Sequence, residues 1–291
     1  MQPSIVRESD TKQLATFIST LNNEKQTHIG FCGTDVGEIQ QTLQEDFSED
    51  NGEGLSFVTA RNGSGDIFAA IGLDIDGDTA EVWGPFQSDG AAHTIHALWT
   101  HICQFYPDIQ HFHFFINEEN KKQSAFAHHL GATYTGKHSI LKMDRKNMAT
   151  VPHKRSIPFE KAYAHSFQRL HEEAFPGTYY RAETILSRLN DDHTLKLLTT
   201  ADHQLQGYAY YEIDPFNQEG SIEYIAINPQ FRGMGLGTML LREITDDMFS
   251  QTLIPEISLC VSHVAKAAIH IYLKAGFTEA DRLNSYVLTR K

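Results

Sequence analysis

Gln230-Phe231-Arg232-Gly233-Met234-Gly235-Leu236-Gly237 is the stretch on which the reading of this chain turns. It follows an apolar run, Ile222-Glu223-Tyr224-Ile225-Ala226-Ile227-Asn228-Pro229, that reads as a buried strand. It leads directly into Thr238-Met239-Leu240-Leu241-Arg242-Glu243-Ile244, which reads as a helix. Glycines at 233, 235 and 237 let backbone N–H groups approach a bound anion, and the helix behind them adds the positive end of its dipole. Arg232 adds a full charge. A strand, a glycine turn with an arginine and then a helix form a cradle for a pyrophosphate.

Composition bounds what the cradle serves. With 291 residues, two domains are expected rather than one, and 41% hydrophobic with 21% charged residues is the make-up of ordinary globular protein. Cys32, Cys103 and Cys260 are far apart and odd in number, which argues for a reducing compartment and against a disulfide framework. No run has signal-peptide or membrane-spanning character, so a soluble, cytoplasmic protein is expected, with no membrane partner. The formal charge of −13, from 37 acidic and 24 basic residues, speaks against nucleic acid as a partner. The 16 histidines include His111 and His113 on one strand face and His128-His129 in a helix; no Cys or carboxylate completes a ligand set, and no metal is expected.

The chain repeats itself at an offset of 145 residues, as Gly131 with Gly276, Gly90 with Gly235, and Ile95 and Trp99 with Leu240 and Ile244. Each half reads in the same order. The first has a strand near Ile5, helices over 11–21 and 36–47, strands over 56–61, 67–74 and 79–82, a helix ending before Pro107, a strand over 111–116 and a helix over 121–130. The second has a strand near Ile157, helices over 160–174 and 182–190, and strands over 194–199, 206–214 and 221–227. A helix over 237–249, a strand over 256–261, a helix over 265–275 and a last strand near 286–289 follow. The polar, proline-containing stretch 144–155 reads as a linker, which puts one domain at 1–145 and the other at 150–291.

Two cofactor classes fail on spacing. A dinucleotide fold wants G-x-G-x-x-G and an acidic end to the next strand, whereas the glycines here fall as G-x-G-x-G and that strand ends Leu259-Cys260-Val261. A mononucleotide loop wants Gly-Lys-Ser or Gly-Lys-Thr, which is absent. What fits is R-x-x-G-x-G, and with it the second half resembles the GNAT-type N-acetyltransferase superfamily. Ile271-Tyr272-Leu273-Lys274-Ala275-Gly276-Phe277 resembles the family's second signature, a tyrosine four residues before Gly-Phe.

The resemblance implies an α/β (α+β) fold of two tandem GNAT-like domains, each a mixed, largely antiparallel twisted sheet flanked by helices. It implies acetyl-CoA as co-substrate, its pyrophosphate on the N–H groups of Arg232, Gly233, Met234, Gly235, Leu236, Gly237 and Thr238, and its pantetheine arm beside Ile225, Ala226 and Ile227. The acceptor amine would attack the thioester directly, with the thioester oxygen on a backbone N–H near Ile225 and Tyr272 as the general acid for the leaving thiolate. Glu223 is the first candidate for the base that takes the amine proton, Glu212 the second and His263 a weaker alternative; each carboxylate has the alternative role of a satisfied strand residue. The family's asparagine seven residues before the tyrosine is replaced here by Ala265.

The first half is similar but degraded. Ala127 stands at the tyrosine position, Asn120 at the asparagine position, and Gln87-Ser88-Asp89-Gly90-Ala91-Ala92 in place of the cradle, with Asp89 set to repel phosphate. This half is expected to bind no acetyl-CoA. Between the first two helices of the second half, Glu172-Glu173-Ala174-Phe175-Pro176-Gly177-Thr178-Tyr179-Tyr180-Arg181 is expected either to hold a cationic amine or to cap the core with its aromatics. The expected function is transfer of an acetyl group to a primary amine of a small molecule or peptide, by a monomer or homodimer. The alternatives are a non-catalytic acyl-CoA sensor and transfer of a longer acyl group.

Overall fold

The computed structural model describes residues 4–48, 54–88, 92–148, 150–178, 180–251 and 254–290. The matched glycine Gly90, the acid Asp89 and loop residue Tyr179 lie outside the described residues. The chain divides into two units, one made of Met1–His138 with Arg282–Lys291 and the other of Ser139–Asp281.

The first unit contains β1 (Ser4–Arg7), α1 (Thr11–Asn22), α2 (Val36–Glu45), β2 (Phe57–Arg61), β3 (Ile67–Asp76), β4 (Thr79–Gln87), α3 (Ala92–Phe105), β5 (His111–Asn117) and α4 (Lys121–His129). Strands pair in the order β1-β2-β3-β4-β5, antiparallel except for β4 with β5. Alternation along the strands gives the sheet two apolar faces. Phe57, Trp83 and Phe86 face α1 and α2 through Leu14, Ile18, Ile39 and Leu43. Val58, Ile71, Val82 and Phe112 face α3 and α4 through Leu98, Ile102 and Phe126.

The second unit repeats the plan with β7 (Ile157–Pro158), α5 (Ala164–Ala174), α6 (Ala182–Arg188), β8 (His193–Thr199), β9 (Leu205–Asp214), β10 (Glu219–Ile227), α7 (Leu236–Gln251), β11 (Glu256–Ser262) and α8 (Lys266–Ala275). Its strands pair in the order β7-β8-β9-β10-β11, with β10–β11 parallel and the other pairs antiparallel. Tyr208, Tyr210 and Tyr224 pack under α5 and α6, while Tyr211, Ile222 and Leu259 pack under α7 and α8. Among the described residues no helix is long and apolar enough to cross a membrane. The 145-residue offset holds at both ends of β5 and β11, His111–Asn117 against Glu256–Ser262.

Two strands correct the expected boundary near residue 150. The division falls between His138 and Ser139, inside β6 (Thr133–Asp144), and the last strand, β12 (Thr278–Thr289), changes unit at Arg282. Residues 283–289 pair antiparallel along the whole of β5, from Leu283 with Asn117 to Thr289 with His111, so they complete the first unit's sheet. Residues 139–144 lie beside β11 and complete the second. The stretch read as a linker is also bound to structure. Buried Glu243 on α7 accepts the N–H groups of Arg155 and Ser156 at 3.0 and 2.8 Å, and Lys154 pairs with Asp246 and Asp247.

Candidate active site

Strands β10 and β11 are paired over Glu219–Glu256, Gly220–Ile257 and Ser221–Ser258, and then part. The parting coincides with a bulge. Ile222 opposes Tyr211 and Tyr224 opposes Tyr210, which leaves Glu223 as the extra residue on β10. Past the bulge, Asn228 gives its N–H to Gln206 on the β9 side at 2.9 Å. Alternation then turns the N–H and C=O groups of Ile227 and Ile225 to the opposite edge, toward the opening. The carbonyl of Ile227 confirms this direction by accepting Arg232 Nε at 3.0 Å.

The glycine turn follows at once. Gly233 and Gly235 have φ of 79° and 76°, a region where a side chain is strained, so the turn needs glycine for backbone reasons. No atom lies within 4 Å of a Cβ placed on either, so the space above the turn is open. Leu236, Gly237 and Thr238 form the first turn of α7, whose N–H groups have no intrahelical acceptor. Arg232 differs from the expectation for the turn, because its own N–H is already donated to Pro229 O at 3.3 Å.

The end of β10 past the bulge and the turn line one cavity of about 880 Å³, with α8 and the residues before it on another side and Glu173, Ala174 and Phe175 on a third. Ile225, Ala226, Ile227, Arg232, Gly233, Gly235, Leu236, Gly237, Thr238 and Tyr272 all line it; Met234, whose side chain is exposed, and Glu223, two residues before Ile225, are not among its lining residues. Lys266 and Lys274 join Arg232 at its wall, giving this opening positive charge on a chain of net charge −13. An anion on an apolar arm fits these walls. The turn offers N–H donors and cations, and the strand edge offers alternating N–H and C=O groups beside apolar side chains.

Tyr272 is 9% exposed, and burial alone pushes its hydroxyl up to about 12, so it is a protonated donor at neutral pH. Glu223 lies where the strands part. The residue as a whole is exposed, yet surrounding protein desolvates its carboxylate enough to raise its pKa; Ser221 lowers it by hydrogen bonding, Glu212 raises it and Arg188 lowers it. Cys260, on the facing strand, is pushed up to about 12 by desolvation and by the charge of Glu223. Glu212 is engaged, accepting Arg188 at 3.2 Å on each oxygen and Tyr210 OH at 2.5 Å. His263 sits 3.7 Å from Glu279. Of the two carboxylates considered as bases, Glu223 is the one not tied by a cation.

The first unit has the same parting and a one-residue bulge, between the Ala70–Phe86 and Gly72–Trp83 pairs. Here the free edge of β5 is taken by the chain itself. Gly30 donates its N–H to Phe115 O at 2.7 Å, Asn117 donates to His28 O at 3.2 Å, and Ile29 bridges to Ile116. Asn22 holds Ile29 N–H at 2.8 Å, and Asn120 both caps α4 and donates to His28 O. Ile29 is buried. This plug was not legible in the sequence, because three residues of a loop carry no periodic pattern.

Residues 161–277, all within the second unit, match the acetyltransferase (GNAT) family model. Over 95 residues the chain is 32% identical to the [ribosomal protein bS18]-alanine N-acetyltransferase of Salmonella typhimurium, spanning 33% of this chain and 62% of that enzyme's length. A GCN5-related N-acetyltransferase from Sphaerobacter thermophilus superposes with a TM-score of 0.76 at 15% identity, over 98% of this chain and 95% of that one. A tandem GNAT protein from the clavulanic acid biosynthesis pathway superposes at 0.67 and 15%, over 99% and 98%. The fold is thus a mixed, mostly antiparallel sheet flanked by helices, present twice, and acetyl-CoA is the co-substrate of this family.

Proposed function

We propose that the second unit transfers the acetyl group of acetyl-CoA to a primary amine of a small molecule or peptide, and that the first unit binds no acetyl-CoA. One observation carries the reading: the bulged strand edge, the glycine turn and Tyr272 all open into one cavity. Bound acetyl-CoA would supply an activated thioester carbonyl. The N–H of Ile225 points into the opening and would donate to the carbonyl oxygen, where negative charge grows during attack. Glu223, the carboxylate at the parting not tied by a cation, removes the proton of the attacking ammonium. Its raised pKa makes it a better match to that proton than an ordinary carboxylate. Tyr272, held neutral, delivers a proton to the departing sulfur. No ion pair holds the Glu223 carboxylate among the described residues, which favours a cationic acceptor, and the alanine acceptor of the ribosomal-protein relative supports including peptide amines.

Acetyl-CoA titration by calorimetry is expected to give one site per chain, because the first unit's strand edge is covered by His28, Ile29 and Gly30. Thiol release with a panel of small amines and alanyl peptides tests the chemistry. No binding at all would sink the proposal. One-site binding without release across the whole panel would turn it to an acyl-CoA sensor.

A further inference from the structure

The connection between α5 and α6 supplies the Glu173–Phe175 wall of the cavity, and its descent to α6 is tied to the sheet by an unusual set of bonds. His171 on α5 is 1% exposed and uses both ring nitrogens. Nε2 lies 2.8 Å from the carbonyl of Tyr180, and Nδ1 lies 2.5 Å from Tyr208 OH. A carbonyl only accepts, so Nε2 carries the hydrogen, and in the ring with one hydrogen Nδ1 accepts the tyrosine O–H. That is the neutral imidazole, and burial lowers the pKa of His171 in the same sense. The other backbone atom of Tyr180 is held as well, its N–H donated to Tyr224 OH at 3.2 Å. Tyr224 OH also shares a hydrogen bond with Thr178 Oγ1 at 2.8 Å.

Tyr224 stands on β10 directly between the bulge residue Glu223 and Ile225, whose N–H faces the cavity. Its ring packs 5.1 Å from Phe175, a cavity wall residue, and 4.8 Å from His171. The N–H of Tyr180 and the ring of Phe175 are therefore referred to β10, the strand on which the chemistry is proposed to occur, while the Tyr180 carbonyl is held by His171 on α5, which in turn bonds Tyr208 on β9. An apolar cap of the core would need the ring packing; it would not need two hydrogen bonds to the backbone of one residue.

We propose that His171 and Tyr224 are positioning residues that lock the α5–α6 connection to the sheet, His171 through Tyr208 on β9 and Tyr224 on β10, and so set the acceptor-side wall against the reacting carbonyl. The inference rests on the transferase reading for its purpose, but the lock itself is measurable without turnover. A misplacement of about 1 Å at such a wall is enough to cost about 10²-fold in rate.

The test compares Tyr224→Phe, His171→Phe and His171→Gln in the full chain. Tyr224→Phe removes one oxygen and keeps the ring. His171→Gln keeps a side-chain N–H that reaches Tyr180 O. Amide exchange at Tyr180, followed by NMR, is expected to quicken at least tenfold in Tyr224→Phe and His171→Phe and to return most of the way in His171→Gln. Calorimetric affinity for acetyl-CoA is expected to stay within twofold of the parent. With the panel amine that gives the fastest thiol release, acceptor KM is expected to rise about tenfold or more in the two Phe variants. Unchanged exchange at Tyr180 in Tyr224→Phe overturns the proposal, and so does equal loss of acetyl-CoA affinity and acceptor KM. If the parent releases no thiol with any amine, the transferase reading fails while the exchange result still decides the lock.

Discussion

At the scale of single residues, two protonation states decide what the site does. Glu223 has a carboxyl pKa raised above its ordinary value, chiefly by desolvation. A general base works only when ionised, so its activity is present above the raised pKa and lost as pH falls through it. The acid limb of kcat/KM is therefore expected above the ordinary carboxylate range of about 4.3, and Glu223→Gln is expected to remove that limb and lower kcat/KM by about 10²-fold or more. A pH–rate profile of both proteins checks this; an unchanged limb in the variant would assign it elsewhere. Tyr272, at about 12, stays protonated through the working range, so Tyr272→Phe is expected to lower kcat about 10²-fold with acetyl-CoA affinity nearly unchanged. Single-turnover thiol release beside calorimetry separates those two numbers. His171 carries the opposite sign for stability. Its folded pKa is depressed, so the stabilisation is complete above about 6.5 and lost as pH falls toward the folded value.

At the scale of elements, helix starts separate the two units. Asn120 caps α4, accepting Gln123 N–H at 3.1 Å with φ −78° and ψ 77°. Ala265 holds nearly the same backbone, φ −81° and ψ 53°, and gives α8 no side-chain cap. Ala265→Asn is expected to stabilise α8 by about 1 kcal/mol, which for a unit of this size is a rise of about 2–4 °C in Tm by calorimetry. The elements that a sequence shows are those with a one-sided apolar pattern. The glycine turn, α7, α8 and β10 were legible because strand alternation, helical stripes and a C-cap at Gly276 with φ 109° all leave local marks. β6 leaves no such mark, and β12 begins eight residues before the stretch near 286–289 that reads as a strand. Thr133-Tyr134-Thr135-Gly136-Lys137-His138 and Thr278-Glu279-Ala280-Asp281-Arg282 are polar and mostly half-buried or exposed, so neither announces a strand. The site follows the same division. Tyr272 and the turn sit in spaced motifs, whereas the Tyr180 lock and the His28–Gly30 plug are made by contacts between distant positions.

At the scale of the whole chain, the polar stretch 144–155 invites a cut near residue 150, and the strand membership argues against it. Residues 283–289 run along all of β5, with Leu283 fully buried and Tyr286 at 4% exposure in the first unit. Burying two such side chains is worth about 1.5–3 kcal/mol each, before counting a backbone ladder of seven residue pairs. Against a domain stability of about 5–15 kcal/mol, their removal is a large fraction of the total. A chain ending at Asp281 is therefore expected to lose much of the first unit's stability. The loss has a specific address. Phe115 O and Asn117 N are bonded to Gly30 and His28, so alternation leaves Phe112, Phe114 and Ile116 to bond the last strand. Amide exchange is expected to quicken at Phe112, Phe114 and Ile116 in the truncated chain by at least tenfold more than at Asn117. Separate pieces cut near 150 are expected to aggregate for the same reason, each left with an unpaired central strand, and to become soluble when coexpressed. Soluble, cooperatively melting halves from a cut at 150 would show that the last strand adds little to the first unit. Rapid exchange confined to Phe112, Phe114 and Ile116 would show that the first unit's sheet is closed by β12.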